Sequence, residues 1–276
     1  MLLRNEQGAM QHRRACDLVG GLLQVPGEHL QSALDAGCGQ GFWAREVAHS
    51  YPSLQITGID SNEQSIQQAY KASEQEQLQN VIFHCMNILH MCDLPQFDLV
   101  FARYLFLHLP CQSWLPAVES LKNHVRPGGY LQLIDGGIEK ASTPAWQELL
   151  YIFEHLMRTM GQNAQVSFSF TNLLVRTGLQ MYRCTYHPLL SGNWEKANFS
   201  PRNALARYTK ARPFIEKAGF ISLANYDDVL RQAESEIELP EFLAMGSVIS
   251  AIGHLPEDSV LRNQVHEKIG ASQSTI

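Results

Sequence analysis

The sequence predicts an α/β fold in which a mostly parallel sheet carries helices on both faces. Short apolar runs alternate along the chain with longer stretches of helical periodicity, which is the order of strand–helix–strand units. A glycine-rich turn at 33–41 joins the first such run to a helical stretch. The run 98–102, DLVFA, is nearly continuous and apolar, as a strand buried on both faces should be.

The stretch 33–41, ALDAGCGQG, ends in three glycines at alternate positions and leads into a helix. A strand, a glycine turn and a helix bring backbone N–H groups against a ligand, and glycine is needed where a Cβ would collide with it. The next strand-like run ends at Asp60, about 20 residues further on, where an acid can accept hydrogen bonds from a ribose diol. This pattern indicates a nucleoside cofactor.

The spacing of the glycines distinguishes between two such cofactors. A dinucleotide loop, G-x-G-x-x-G, would place its third glycine at position 42, which is Phe42 here. An acid, Asp35, stands inside the motif instead. A carboxylate fits poorly beside a pyrophosphate and well beside an ammonium or a sulfonium group. These residues favour S-adenosyl-L-methionine (SAM) over NAD.

The stretch 34–41 resembles motif I of the class I SAM-dependent methyltransferases, and the likeness continues through 58–60, 97–100 and 126–130. It covers roughly residues 30–136. The resemblance implies a Rossmann-like, seven-stranded sheet with helices on both faces and an antiparallel last strand. It also implies in-line displacement, in which a methyl group leaves SAM without a protein nucleophile.

The core elements follow in order from an amphipathic helix at 5–24, which Pro26-Gly27 is expected to stop. In the family such a helix lies over the cofactor mouth; packing on the sheet edge is the alternative. His12, Arg13 or Arg14 could meet the methionyl carboxylate, and the sequence does not choose among them. We then predict strands at 31–36, 54–60, 80–85, 98–102 and 130–134, helices at 41–50, 61–77 and 112–126, and a turn at 127–129.

The resemblance also places cofactor contacts on this sequence. Many family members have an Asp after the third strand that accepts from the adenine amino group. The corresponding residue is Asn87, whose neutral oxygen accepts a weaker bond, and Ile88 would pack on the adenine face. The expected cofactor-binding residues are Asp35, Gly37, Cys38, Gly39, Gly41, Asp60, Ser61, Asn87, Ile88 and Arg103.

The fourth strand delivers the segment 103–110 to the carboxyl edge, where open α/β sheets bind ligands. His108 is the candidate general base, because the ordinary histidine pKa is near neutrality. The alternative is a histidine packed under the following turn or bonded to backbone. Arg103 could anchor the cofactor carboxylate or an acceptor anion, or form a structural ion pair. Tyr104 could line the acceptor pocket or pack in the core.

The second half of the chain departs from a minimal fold. We predict helices at 144–161, 170–177, 200–217 and 224–236, and strands at 179–189 and 242–253. These helical cap insertions are too long to be loops and are expected to cover the site and hold the acceptor. Trp146, Tyr186 and Trp194 are candidate pocket residues, and core packing is the alternative for Trp146.

The chain is accordingly divided into four parts. An N-terminal helical lid occupies 1–28 and the SAM-binding core 29–140. The acceptor-binding insertions, with the last two core strands, occupy 141–256, and a polar C-terminal tail follows at 257–276.

Composition excludes several classes of function. The 276 residues carry a formal net charge of −6, so no basic footprint for nucleic acid is present. The six cysteines include no Cys-x-x-Cys pair, which argues against a zinc site or disulfide frame and fits a cytoplasmic location. No run approaches transmembrane length or a signal peptide. The acidic stretch 227–238 is interpreted as a solvated face, and we expect no metal.

The sequence therefore predicts a methyltransferase that acts on a small-molecule acceptor, by analogy a specialised metabolite. Neither nucleic acid nor a membrane is expected as a partner, and a homo-oligomer is compatible with the sequence. Two alternatives come from other classes of protein. One is a SAM-binding protein without methyl transfer, such as a cyclase or a regulatory binder, and the other is an NAD-dependent oxidoreductase.

Overall fold

The computed structural model describes residues 2–27, 29–91, 93–137, 139–192, 198 and 200–257, with side chains from residue 8 onward. Within these residues the strands form one eight-stranded sheet. The strands are β1 Ser32–Ala36, β2 Gln55–Asp60, β3 Val81–Cys85, β4 Phe97–Arg103, β5 Val125–Gly136, β6 Lys140–Ala141, β7 Gln180–Gly192 and β8 Leu243–His254. The helices are α1 Leu2–Val19, α2 Phe42–Ser50, α3 Glu63–Gln75, α4 Trp114–Asn123, α5 Pro144–Thr159, α6 Phe170–Arg176, α7 Pro201–Ala218 and α8 Leu223–Glu236.

Five parallel strands form the centre of the sheet, in the spatial order β3-β2-β1-β4-β5. Next to β5 lies β8, which runs antiparallel to it, and β7 pairs antiparallel with the other edge of β8. The strand order reverses between β1 and β4, so their carboxyl ends flank the crevice where such sheets bind ligands. The predicted α/β fold is confirmed; the additional strand is β6, two residues paired with the start of β8.

The middle strand β4 shows why its sequence reads as a continuous apolar run. Leu99 and Phe101 belong to the core on the face covered by α2 and α3, whereas Val100 and Ala102 belong to the core under α4 and α6. Successive side chains of a strand point to opposite faces, so an apolar residue is needed at every position. Helices therefore cover both faces, as predicted.

The helical insertion has a hydrophobic core of its own, built by α5, α7 and α8. Trp146 is only 2% exposed there and packs edge-on against Tyr208 and Phe242. The backbone amides of Ala145 and Trp146 donate to the Glu236 carboxylate, which ties the start of α5 to the end of α8. Core packing, the alternative weighed for Trp146, is therefore its main environment.

The largest differences from the predicted boundaries are at the end of α1 and at the start of β5. Helix α1 ends at Val19, before Pro26-Gly27, because Gly20 and Gly21 adopt φ of +89° and +122° and cannot continue a helix. Strand β5 begins at Val125, so 127–129 lies inside a strand instead of a turn. A register irregularity opposite β4 and a positive φ at Gly128 accommodate these residues.

The acidic stretch near α8 is occupied by ion pairs and a cap. Asp227 pairs with Arg212 at 2.9 Å, Asp228 pairs with Arg231, and Glu236 caps α5. Among the described residues, no group of three His, Cys, Asp or Glu is arranged to hold a metal ion. Within the same part of the chain, no helix is long and apolar enough to span a bilayer.

Candidate functional site

The glycine bend between β1 and α2 lies at the carboxyl edge of the sheet. The amides of Gly37 and Cys38 both donate to the Ile59 carbonyl, over 2.8 and 2.9 Å, so the bend is fixed to the neighbouring strand β2. Gly39 and Gly41 have φ of +54° and +72°, in the left-handed region that favours glycine. The three glycines thus form the bend that their spacing predicts.

Two glycines of the bend have different surroundings. A Cβ at Gly41 would lie 2.7 Å from the Phe83 ring and 3.0 Å from the Ala69 Cβ, so this glycine is required for packing. A Cβ at Gly39 would meet no described atom within 4 Å. Gly39 is therefore the part of the bend that a ligand can approach.

Asp60, at the tip of β2, holds this bend in place. Its Oδ2 accepts a hydrogen bond from the Gly39 amide over 2.9 Å, and its Oδ1 accepts one from the Asn62 amide over 2.8 Å. A carboxylate offers about four acceptor sites, so lone pairs remain for a ligand hydroxyl. Ser61, the next residue, is exposed. Orienting the bend is a role of Asp60 that the sequence did not indicate.

Asp35 is buried near the carboxyl end of β1, with 4% of its surface exposed. Its Oδ2 has no hydrogen-bond partner among the described residues. Burial raises the pKa of Asp35 to about 7, although the Arg103 guanidinium and a backbone hydrogen bond at Ala44 lower it. An unpartnered buried carboxyl oxygen is costly, so a donor or a cation that contacted this atom would relieve that cost.

Cys38 is half-buried in the same bend. Burial raises the pKa of its thiol, and the carboxylates of Asp35 and Asp60 act in the same direction. The thiol is therefore neutral, and its sulfur packs close to Gly58 of β2. Its side chain contributes packing to the bend, while its amide is already bonded to β2.

Arg103, the last residue of β4, is held by α1. Its Nη2 lies 2.6 Å from His12 Nδ1, and its Nη1 lies 3.6 Å from Cys16 Sγ. The Nε2 of His12 lies 2.5 Å from Glu46 Oε2 on α2. Of the three basic residues that the sequence left open, His12 is 5% exposed and faces this site, whereas Arg13 and Arg14 are exposed.

The residues after β4 form a strained loop. Tyr104 is half-buried, has φ of +53°, unusual for a bulky residue, and donates its amide to the Ile134 carbonyl over 2.8 Å. The Asp135 carboxylate, fully buried at the end of β5, accepts from the Leu107 amide over 3.0 Å and from the Gly136 amide over 2.9 Å. Asp135 was not among the predicted site residues; its signal is an acid that ends an apolar strand.

His108 ends a short 3-10 turn, Phe106–His108, at this edge of the sheet. His108 is exposed, and its backbone carbonyl accepts a hydrogen bond from Gln162 Nε2 over 3.0 Å. Partial burial lowers the pKa of His108, against the opposing effect of the Asp60 carboxylate. The side chain therefore lies within electrostatic reach of the bend and is neutral at pH 7.

The adenine-side candidates lie just past β3. Asn87 is exposed, and its Oδ1 accepts from the Leu89 amide over 2.9 Å, which caps the turn that follows. Ile88 is 6% exposed and packs in the core, where its carbonyl accepts from Ser120 Oγ over 2.6 Å. Asn87 retains one lone pair for a ligand, and little of the Ile88 side chain reaches the surface.

A family profile described as "Methyltransferase domain" matches residues 33–129, from the first residues of β1 into β5. The chain contains a class I SAM-dependent methyltransferase domain. S-adenosyl-L-methionine is the cofactor of this domain.

Curated relatives match about half of the chain or less. The chain is 28% identical over 119 residues to a tRNA (guanine-N(7)-)-methyltransferase of Rubrobacter xylanophilus, covering 39% of this chain and 52% of the relative. It is 29% identical over 110 residues to a trans-aconitate 2-methyltransferase of Rhodopseudomonas palustris, covering 40% of each. The chain thus spans about half the length of the curated relatives it matches, or less.

Solved structures resemble the chain over more of its length. A protein of Bacillus halodurans C-125 assigned to the methyltransferases has a TM-score of 0.60 at 16% identity, covering 87% of this chain and 99% of that one. Phosphoethanolamine N-methyltransferase 2 of Haemonchus contortus, in complex with SAM, has a TM-score of 0.53 at 16% identity. The match covers 84% of this chain and 50% of that one. The [4+2]-cyclase SpnF has a TM-score of 0.54 at 14% identity, and the match covers 91% of this chain and 94% of that one. At these identities the likeness shows the fold alone.

The methyltransferase domain's own atoms fit the cofactor. The unpartnered Asp35 Oδ2 suits the ammonium or sulfonium of SAM, because both are cationic. The open backbone at Gly39 and the remaining lone pairs of Asp60 suit a nucleoside. A pyrophosphate would meet two acids at the same bend, Asp35 and Asp60, so a dinucleotide fits less well.

The candidate acceptor-binding residues are spread over the structure. Tyr104 lies at the carboxyl edge, Trp146 lies in the core of the helical insertion, and Tyr186 is 59% exposed on β7. Trp194 lies outside the described residues. The described three therefore do not form one pocket by themselves.

A cavity of about 300 Å³, including its open mouth, lies between the ends of β7 and β8 and the helices α5 and α7. Its walls are mostly apolar, with Glu139 and Lys140 as the charged members. The lining residues are Glu139, Lys140, Trp146, Leu150, Leu189, Ala204, Ala244, Met245 and Gly246. Sequence reasoning identified only Trp146 among them, because the others come from five separate segments that meet only in the folded chain.

We predict that Gly39→Ala and Gly41→Ala separate the ligand role of the bend from its packing role. Both variants place alanine at a positive φ, which costs about 1–2 kcal/mol. Only Gly41→Ala also collides with Phe83, so its unfolding free energy should fall by about 1–3 kcal/mol more. Urea denaturation measures the difference, and equal losses for the two variants would contradict the packing assignment.

A second prediction concerns Asp35→Asn in the ligand-free protein. The folded-state pKa of Asp35 is raised from 3.8 to about 7, so its stability contribution is greatest below pH 4 and is lost as the pH rises to 7. Asparagine stays neutral. Between pH 4 and pH 8, the unfolding free energy of the variant should therefore rise relative to that of the wild type by more than about 1.4 kcal/mol, the equivalent of one pKa unit. Thermal unfolding over this range checks it, and a pH-independent difference would contradict the burial argument.

Proposed function

We propose that this protein transfers a methyl group from SAM to a small-molecule acceptor. The observation that carries the proposal is the combination, inside a methyltransferase domain, of three features at one bend. These are the open backbone of Gly39, the Asp60 carboxylate with free lone pairs, and the buried, unpartnered Asp35 Oδ2.

The chain's groups divide the work of holding SAM, which supplies a methyl group already activated on a sulfonium sulfur. Asp60 accepts from the ribose hydroxyls and Asp35 neutralises the cationic end. Arg103 meets the carboxylate, since its guanidinium retains donors beyond those given to His12 and Cys16. Gly37, Cys38, Gly39 and Gly41 form the bend, Ser61 lies next to Asp60, and Asn87 and Ile88 border the adenine.

The acceptor is proposed to be a compact molecule. The cavity beside Trp146 and Leu150 has the mostly apolar walls, with a few charged groups, that are typical of small-molecule sites. The formal net charge of −6 disfavours a polyanionic acceptor such as tRNA, in spite of the tRNA methyltransferase among the relatives. Trans-aconitate, a small acid, is named for another relative. The half-buried Tyr104, beside the cofactor crevice, and Tyr186 and Trp194 further along are retained as acceptor contacts.

His108 is proposed as the general base, where the acceptor atom carries a proton that must leave. Its lowered pKa keeps the imidazole neutral at pH 7 and able to take up a proton. Its place after β4 puts it on the edge that carries the bend. A neutral histidine loses this capacity as the pH falls below its pKa.

The division into a lid at 1–28, a core at 29–140, insertions at 141–256 and a tail at 257–276 is kept as part of the proposal, as is a cytoplasmic location. Helix α1 packs on α2 through Glu46 and the Phe42 ring, which stacks on His12 at 6.3 Å, so it is placed to cover the cofactor crevice. The residues after 257 lie outside the described part of the chain.

A SAM-binding protein without methyl transfer is the second candidate. The likeness to the [4+2]-cyclase SpnF favours keeping it, because that chain has this fold and a different reaction. The two candidates share every cofactor contact above and differ only in whether a methyl group leaves.

The full chain incubated with methyl-labelled SAM distinguishes the candidates. One set of reactions contains a panel of small acids, phenols and amines, and another contains total tRNA. Label in a small molecule is the expected result. Label in tRNA would overturn the acceptor class, and no label despite measurable S-adenosylhomocysteine binding would favour the second candidate. No binding of S-adenosylhomocysteine would overturn the whole proposal.

We further predict that His108→Ala lowers kcat about 100-fold or more on the acceptor so identified, while the affinity for S-adenosylhomocysteine is retained, since only proton removal is lost. His49→Ala is the matched control, because His49 is exposed at the far end of α2. Steady-state kinetics and calorimetry measure the two quantities. An unaltered kcat in His108→Ala would remove this residue from the mechanism.

A further inference from the structure

Three elements meet at one buried histidine beside the cofactor crevice. His12 of α1 contacts Arg103 at the end of β4 through Nδ1, and it contacts Glu46 of α2 through Nε2. The distances are 2.6 and 2.5 Å, and His12 is 5% exposed. Such short contacts on both ring nitrogens fix the orientation of the imidazole.

The partners also fix which ring nitrogen carries the proton. Arginine has only donors, so His12 Nδ1 must accept from Arg103 Nη2 and cannot itself be protonated. The single ring proton is then on Nε2, where it donates to the Glu46 carboxylate. Burial is the largest cause that lowers the pKa of His12, and the Arg103 charge is the next. Glu46 acts in the opposite direction but does not outweigh them. The neutral Nε2–H tautomer is therefore the one that this site stabilises.

The consequence falls on Arg103. A guanidinium has five N–H donors in a fixed plane, and binding one terminal nitrogen to His12 and the other to Cys16 sets the direction of that plane. Its charge reaches Asp35 in the neighbouring strand, whose pKa it lowers. The three donors not used by these two contacts lie at the carboxyl edge of the sheet.

We propose that His12 is a positioning residue, which orients Arg103 to bind the carboxylate of the amino-acid end of SAM and thereby couples α1 to cofactor binding. This inference rests on the proposed function, in which Arg103 meets the carboxylate of SAM. It answers the question that the sequence left open among His12, Arg13 and Arg14. None of the three contacts the carboxylate directly; His12 acts through Arg103.

A purely structural contact that only attaches α1 to the domain is the alternative. The two readings differ in what happens to ligands with and without the amino-acid chain. S-adenosylhomocysteine carries the carboxylate, and 5′-methylthioadenosine has the same thioether nucleoside without it. If His12 positions Arg103, replacing His12 weakens the binding of S-adenosylhomocysteine alone. If His12 only attaches α1 to the domain, replacing it weakens the binding of both ligands.

Two conservative variants of the full chain test the acceptor role of Nδ1. Asparagine at His12 can place an amide oxygen near the Nδ1 position and still accept from Arg103. Glutamine instead places an amide near Nε2, which can donate to Glu46 but leaves Arg103 without its acceptor. Calorimetry should show that the affinity for S-adenosylhomocysteine falls about 10-fold or more in His12→Gln, which corresponds to one charge-assisted hydrogen bond. In His12→Asn the affinity should fall about 3-fold or less.

The matched control is Arg13→Gln, which removes a neighbouring positive charge at an exposed position without touching the three contacts. Its affinity should equal that of the wild type. Glu46→Ala is a second variant at a side chain that is 45% exposed, so folding is expected to be retained. It releases the Nε2 proton and should weaken S-adenosylhomocysteine binding about 3-fold or more, because the other tautomer can no longer accept from Arg103.

The pH dependence gives an independent readout. The charged or titratable groups facing His12 are Glu46, Arg45, Arg103 and Cys16. Below its pKa, which lies under the usual 6.5, His12 carries a proton on both nitrogens and repels Arg103. Wild-type affinity should therefore fall in acid more steeply than that of His12→Asn. Titration of Asp35 remains in both proteins and cancels in the comparison.

The outcomes separate the inference from the function on which it rests. Loss of S-adenosylhomocysteine affinity in His12→Gln, recovery in His12→Asn and unchanged 5′-methylthioadenosine affinity support the positioning role. Equal losses for both ligands, equal effects of asparagine and glutamine, or wild-type affinity in Glu46→Ala would overturn it. A wild-type protein that binds neither ligand would overturn the proposed function instead.

Discussion

The hydrogen bond from the Gly39 amide to the Asp60 carboxylate is the constraint on which the cofactor crevice depends. A bend with three glycines has high conformational freedom, and its shape must be imposed from outside. The neighbouring strand β2 supplies that shape twice, through the Ile59 carbonyl and the Asp60 side chain. Because the bend is already ordered, less conformational entropy is lost when a ligand binds there.

Two buried carboxyl groups at strand ends differ in how fully their oxygens are hydrogen-bonded. Burial raises the pKa of both Asp35 and Asp135 to about 7. Asp135 is compensated by backbone amides, including those of Leu107 and Gly136, and so organises the loop after β4. Asp35 has an oxygen without a partner. The same burial is therefore compensated within the fold at Asp135, whereas at Asp35 it leaves an oxygen open for the ligand contact that we propose.

The order of elements and the glycine bend could be predicted from the sequence because they depend on local rules. The run at β4 is apolar at every position since both faces are covered, and the bend needs glycine at positive φ. Residues whose role depends on distant partners could not be placed in the same way. Trp146 has the composition of a pocket residue, but the packing of α7 and α8 around it is visible only in three dimensions. His12 and Glu46 are far from Arg103 in the chain, and neither has a motif of its own.

Strand β8 has a consequence for how the chain acquires its fold. It lies between β5 and β7 and pairs with both, and β6 also joins the sheet through it. More than a hundred residues separate β5 from this partner, so closing the sheet carries a large loop entropy. During synthesis, strands β1 to β5 leave the ribosome before β8 and do not need it to pair with one another. The edge that supports the helical insertion must wait until β8 has been made.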